Sequence, residues 1–177
     1  MSASGAEVAH IGGNTMSLPA QAFAERAPQD LTPGQLFTLR GHWAMRVQLR
    51  GPQTQAGLLL LEGERAGQIF RIADGIARTL CLVSPFGWFP AIEGSTPRVD
   101  GVVPASLALS TSGVLLPGVI PDGWGETVAF GIDGMQVEEL RGSAPHFQRW
   151  TIEMHHHDRP FQSLGTIATI DRGAPAM

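Results

Sequence analysis

The sequence predicts an all-β protein, an antiparallel sandwich or barrel of jelly-roll-like form with roughly eight to ten strands. Three observations carry that expectation. Apolar residues recur with a period of two from Leu36 onward, turn signals return about every 8 to 12 residues, and four Asp-Gly pairs fall between the alternating segments: Asp74-Gly75, Asp100-Gly101, Asp122-Gly123 and Asp133-Gly134. Asp-Gly suits a two-residue hairpin because the turn needs positive φ at its central positions, which glycine adopts freely and aspartate tolerates.

Taken in order, residues 1–16 are small and glycine-rich without a period, and read as a flexible arm, or as leader before a second candidate initiator at Met16. Ser17 offers an N-cap, Pro19 stands in a first turn, and helix formers continue to Pro28, so one short helix is expected near 18–27. The chain then divides into a flexible N-terminal region with that helix, 1–33, and a single β domain, 34–177. In "FTLRGHWAMRVQLRG" the residues Phe37, Leu39, Trp43, Met45, Val47 and Leu49 share one parity, and Arg40, His42, Arg46, Gln48 and Arg50 the other. That pattern predicts a half-buried strand pair or one long bent strand with a bulge at Gly41, and a basic stripe on the solvated face. "AGLLLLEG" predicts a strand buried on both faces. A two-residue turn at Asp133-Gly134 sets Ile132 against Met135 and Phe130 against Val137, whereas the same turn at Asp74-Gly75 sets Arg71 against Arg78, which favours a bulged three-residue loop there. The prolines at 85, 90, 97 and 104 exclude a central strand, yet Phe86, Trp88 and Phe89 are too apolar for a solvated loop.

Composition narrows the function. Charged residues are only 16% of the 177-residue chain and hydrophobic ones 43%, against roughly 25% charged in ordinary soluble domains. All 12 basic residues are arginine, and the formal net charge is −4. Without lysine there is no Schiff base and no Walker A phosphate loop. An acidic balance with scattered arginines argues against nucleic acid as a partner. No apolar stretch approaches the length of a membrane span and no signal peptide is evident, so no membrane partner is expected, and the expected location is the cytoplasm or a particle assembled there. Cys81, in the apolar run "TLCLV", reads as a small buried hydrophobe. Nucleophile-elbow, dinucleotide and H-E-x-x-H motifs are absent.

Two groups of residues stand out as candidate sites. On a strand through "TIEMHHHDRPF", Glu153, His155 and His157 share one face, the two-histidine, one-carboxylate set that holds a transition metal ion with open positions. Alternate histidines on a strand are similar to those of cupin-type metal barrels, although a second cupin motif with its further histidine is not matched. The other reading is a solvent-facing strand end with no metal or other cofactor. The second group is aromatic. Phe86, Trp88, Phe89 and Trp124, on proline- and glycine-rich segments, need a cover, either their own core or a neighbour.

The leading functional expectation is a non-enzymatic structural module that forms a homo-oligomer or docks on neighbouring assembly subunits, most concretely a virion or phage-particle component such as a capsid-decoration or tail-type protein. A poorly charged chain with apolar loops suits such packing. The alternative is a metal-dependent β-barrel enzyme using Glu153, His155 and His157. A third is a small-ligand or carbohydrate-binding sandwich with Trp88 or Trp124 as a stacking platform.

Overall fold

The computed structural model describes residues 18–51, 53–72, 78–92, 94–121, 125–137, 140 and 143–173. The expected arm at 1–16, the expected N-cap Ser17, the turns at Asp74-Gly75 and Asp122-Gly123, and Trp124 lie outside the described residues.

Among the described residues the chain forms fourteen strands: β1 Phe23–Arg26, β2 Leu36–Leu39, β3 His42–Leu49, β4 Gln55–Leu60, β5 Ile69–Arg71, β6 Thr79–Leu82, β7 Phe86–Ala91, β8 Leu107–Ser110, β9 Gly113–Val119, β10 Thr127–Gly131, β11 Gln136–Val137, β12 His146–Phe147, β13 Arg149–His156 and β14 Gly165–Asp171. They assemble into three sheets, ordered β1-β6-β2-β3-β4-β5, β11-β10-β9-β8-β12 and β14-β13-β7. The sheets are mostly antiparallel and consistent with an all-β sandwich, and none closes into a barrel. The count exceeds the expected eight to ten because short strands such as β11 and β12 add edges that carry too few residues to show a period.

All three sheets face one core. Leu36, Met45, Val47, Leu59 and Ile69 meet Leu107, Leu116, Val128 and Phe130 of the second sheet, and Trp88, Trp150, Ile152, Met154 and Ile170 of the third. Gly118 is needed where the first two sheets touch, since a Cβ there would lie 2.8 Å from Ile69 and Leu59 side-chain atoms. The outer faces are apolar too. Phe37, Ala44, Leu58, Leu60 and Cys81 cluster with Leu31 outside the first sheet, and Ala108, Leu115 and Ala129 cluster outside the second, with Val137 and Leu140 against them. Low charge content therefore has a structural counterpart, because the outer layers bury apolar side chains as well.

The helix expected near 18–27 is not formed. A 3₁₀ turn, Ala20–Ala22, leads directly into β1. Pro19 and Pro28 leave a run shorter than the ~12 residues at which isolated helices become even marginal, whereas the extended form pairs all of β1 with β6 and brings Phe23 to 6.2 Å from Trp43. Ala22 is fully buried in the core, and Leu31 is buried in the cluster outside the first sheet.

β2 and β3 form a strand pair, joined by a two-residue turn in which Arg40 and Gly41 both have positive φ, 52° and 82°. Gly41 is thus a turn residue and not a bulge. Because the turn pairs Phe37 with Ala44 and Leu36 with Met45, Phe37 lies on the opposite face from Met45 and Val47. Arg46 shares the Phe37 face, which is itself apolar, so it is buried at 6% exposure instead of joining a solvated stripe.

At the β10–β11 hairpin the expected register is off by one. Phe130 pairs with Gln136 and Ala129 with Val137 across a three-residue loop. Asp133 Oδ1 accepts the Met135 N–H at 3.0 Å, and Gly134, at φ 76°, packs against Gly34 and the Arg46 carbonyl so closely that a Cβ there would meet them at 2.2 and 2.5 Å. That contact, invisible to local pattern, selects the bulged turn. Asp100-Gly101 closes no hairpin and lies in the connection between β7 and β8, where Arg98 and His146 exchange two backbone hydrogen bonds of 2.8 Å.

The proline-rich segment supplies β7, an edge strand of the third sheet, as Pro90 requires. The Phe86 N–H is bonded to the Val83 carbonyl at 3.0 Å.

Candidate functional site

The alternation along β13 sends Trp150, Ile152 and Met154 into the core and leaves Thr151, Glu153 and His155 on the outer face. On neighbouring β7, Phe89 lies opposite Glu153 and Gly87 opposite His155. On the other side, a register shift between Ile152 and Glu153 places Thr166 of β14 opposite Glu153.

Glu153 is only 7% exposed, and both its oxygens are engaged: Oε2 accepts the Ser163 hydroxyl at 2.6 Å and Oε1 the Thr166 hydroxyl at 2.9 Å. Burial pushes this carboxyl up, but the hydroxyls of Ser163, Thr151 and Thr166 outweigh it and hold the group below its ordinary range. Of the three, Ser163 and Thr166 sit at hydrogen-bonding distance, while the buried Thr151 hydroxyl has no such partner.

The Ser163 bond ties down the loop that follows β13. Along that loop Arg159 N–H donates to the His156 carbonyl at 2.9 Å, Leu164 N–H to the Met154 carbonyl at 2.7 Å, and Gly165 N–H to the Ser163 hydroxyl at 3.1 Å. At its tip Phe161 adopts φ 65° and is 76% exposed. Its ring meets Phe89 edge-on at 5.8 Å, and Phe89 in turn stands 5.9 Å from the His155 ring. His155 and His157 are likewise 5.9 Å apart and cover Gly87, where a Cβ would approach the His155 ring to 2.8 Å. The result is a patch of two phenyl and two imidazole rings above a buried carboxylate.

The expected metal set is not brought together. Glu153 directs its oxygens to hydroxyls, His155 Nδ1 lies 3.0 Å from the His156 carbonyl, and no three of His, Cys, Asp or Glu among the described residues are placed to hold a metal ion. Among the described residues none of the three sheets closes into a barrel. His156 turns the other way, edge-on to Phe86 at 5.5 Å with Asp158 Oδ2 3.4 Å from its Nδ1.

The aromatic set is split as well. Trp88, expected at an interface or as a stacking platform, is instead 9% exposed in the main core and donates its indole N–H to the Gly34 carbonyl at 2.8 Å. Phe86 packs partly buried against the same core. Phe89 alone of the described three reaches the outer patch, and its exposed companion, Phe161, is a residue that strand parity does not single out. The turn "DRPF" carried the signal, a large apolar ring immediately after a proline-marked turn.

No family model matches the chain, and neither a curated protein nor a solved structure matches it. No helix among the described residues is long and apolar enough to cross a membrane.

Proposed function

We propose that the protein is a non-enzymatic assembly module that uses the outer face of its third sheet to bind a second copy of itself, with a virion or phage-particle component as the concrete setting. The observation that carries this reading is Phe161, a large ring held 76% exposed in left-handed backbone by a hydrogen-bonded loop. A bulky residue in that conformation costs on the order of 1–3 kcal/mol and persists only where its surroundings enforce it. Here they do so while leaving most of the ring in water beyond its edge contact with Phe89, an arrangement that buries little for the isolated fold and supplies an aromatic anchor for an interface. Phe89, His155 and His157 surround it with flat rings and little charge, which suits an isologous contact where each patch meets its own copy.

Sedimentation velocity over a wide concentration range tests the reading. The wild-type chain forms a concentration-dependent symmetric oligomer, and Phe161→Asp, whose side chain tolerates the same backbone, shifts it toward monomer by about tenfold or more in concentration. A wild-type chain that stays monomeric throughout, or an oligomer indifferent to Phe161→Asp, overturns it.

A further inference from the structure

The outer face of the first sheet carries a second feature, separate from the aromatic patch. Between the Arg40-Gly41 turn and the connection from β4 to β5 lies a hollow of about 830 Å³, within the range of roughly 300–1,000 Å³ usual for small-molecule sites. Its floor is apolar: Leu39, Leu58, Leu60 and Phe70 contribute outward-facing side chains of β2, β4 and β5.

The rim is not neutral. Arg40, Arg65 and Arg71 stand on it with Glu62 and Glu64. Glu62 is committed to the fold, because its Oε2 accepts the Trp43 N–H at 2.8 Å. Arg65 is held in place by Gln68, 3.0 Å from its Nε, and lies 4.9 Å above the Phe70 ring. Among the described residues none of the three guanidinium groups is paired with a carboxylate. A local excess of unpaired arginine over an apolar floor, in a chain of net charge −4, is complementary to a ligand with an anionic head and an apolar body.

We propose that this hollow binds one molecule of an anionic amphiphile of the fatty-carboxylate class, with its tail on Leu39, Leu58, Leu60 and Phe70 and its carboxylate between Arg65 and Arg71. Arginine suits the head group because its planar fork matches two carboxylate oxygens. The Arg65–Phe70 stack presets that fork at the edge of the apolar floor.

The test is calorimetric titration of the full chain with dodecanoate, dodecanol and dodecyltrimethylammonium, all below their micelle thresholds, with leucine methyl NMR shifts to locate the bound tail. Dodecanoate binds at one per chain, about tenfold or more tighter than the neutral and cationic probes, and moves the Leu39, Leu58 and Leu60 methyl signals. Arg65→Ala/Arg71→Ala, both at exposed positions, lowers dodecanoate to the level of dodecanol without changing the circular dichroism spectrum. Equal binding of the three probes, absence of saturable binding, methyl shifts elsewhere, or an unaffected double variant each overturns the proposal. So does a preference for phosphatidylglycerol vesicles over monomeric dodecanoate, which makes the face a membrane contact. A dimer that occludes the hollow does the same in favour of a second copy.

Discussion

Two ionisable side chains are almost equally withdrawn from water, Glu153 on β13 at 7% exposure and Arg46 on β3 at 6%, yet their surroundings are opposite. Glu153 is met by hydroxyls on both oxygens. Arg46 donates Nη1 to the Val47 carbonyl and, at 3.4 Å, to the Gly57 carbonyl, while its Nε has no partner. Burial drives its pKa down from the ordinary arginine value, the direction expected of a cation withdrawn from water. The first group is integrated into a loop it holds in place, whereas the second sits in an apolar layer among Leu58 and Phe37 as a charge that the fold tolerates. A buried charge contributes to a structure through the partners it organises, not through its burial.

That contrast can be broken most forcefully at Glu153. Replacement by alanine removes the acceptor of two hydroxyls and releases the 157–164 loop, and a loss of roughly 1–3 kcal/mol in urea denaturation is expected, together with faster amide exchange at Leu164 and Gly165. A loss below about 0.5 kcal/mol, the usual range for an inconsequential surface change, would show that the loop does not depend on the carboxylate.

Arg46→Met should move the other way. Methionine keeps the apolar stem and discards the under-satisfied cation, so stability is expected to stay level or to rise by about 1 kcal/mol. A large destabilisation would mean that the two carbonyl bonds of the guanidinium matter more than its desolvation.

The smallest expected effect is in pH. The folded pKa of Glu153 lies below its ordinary 4.5, so folding favours the ionised form. Its contribution is fully present above the unfolded value and disappears as pH falls through the folded one. Thermal melts of wild type and Glu153→Gln should therefore differ most above about pH 5 and converge in stronger acid. Arg46, titrating far above this window, adds no slope there. Parallel pH profiles for the two proteins would sink the assignment.

The same contrast shows where the sequence was readable. Period two from Phe37 to Leu49 is enough to establish strands, and the Asp133-Gly134 pair is enough to establish a hairpin. Which face meets the core is not contained in the period, because the Arg40-Gly41 turn inverts parity between β2 and β3 and the outer face proved apolar as well. For that reason Arg46 is buried on an apolar face rather than solvated. Glu153 and His155 do share the outer side of β13, with the His157 ring 5.9 Å from that of His155 just past the strand's end, but the register shift against β14 delivers Thr166, and the intervening loop Ser163, to the carboxylate, and no local spacing encodes that. Trp88 likewise depended on tertiary pairing, since its inward direction follows from lying opposite Met154.

Pro90 and Phe86 bring one more consequence. At the free margin of the third sheet, one residue lacks an amide hydrogen and the other spends its own on Val83. An incoming chain would find an interrupted rail there, so lateral extension by backbone pairing is discouraged. Under the proposed self-association, a contact near that margin would rest on the shape of the rings rather than on shared backbone hydrogen bonds.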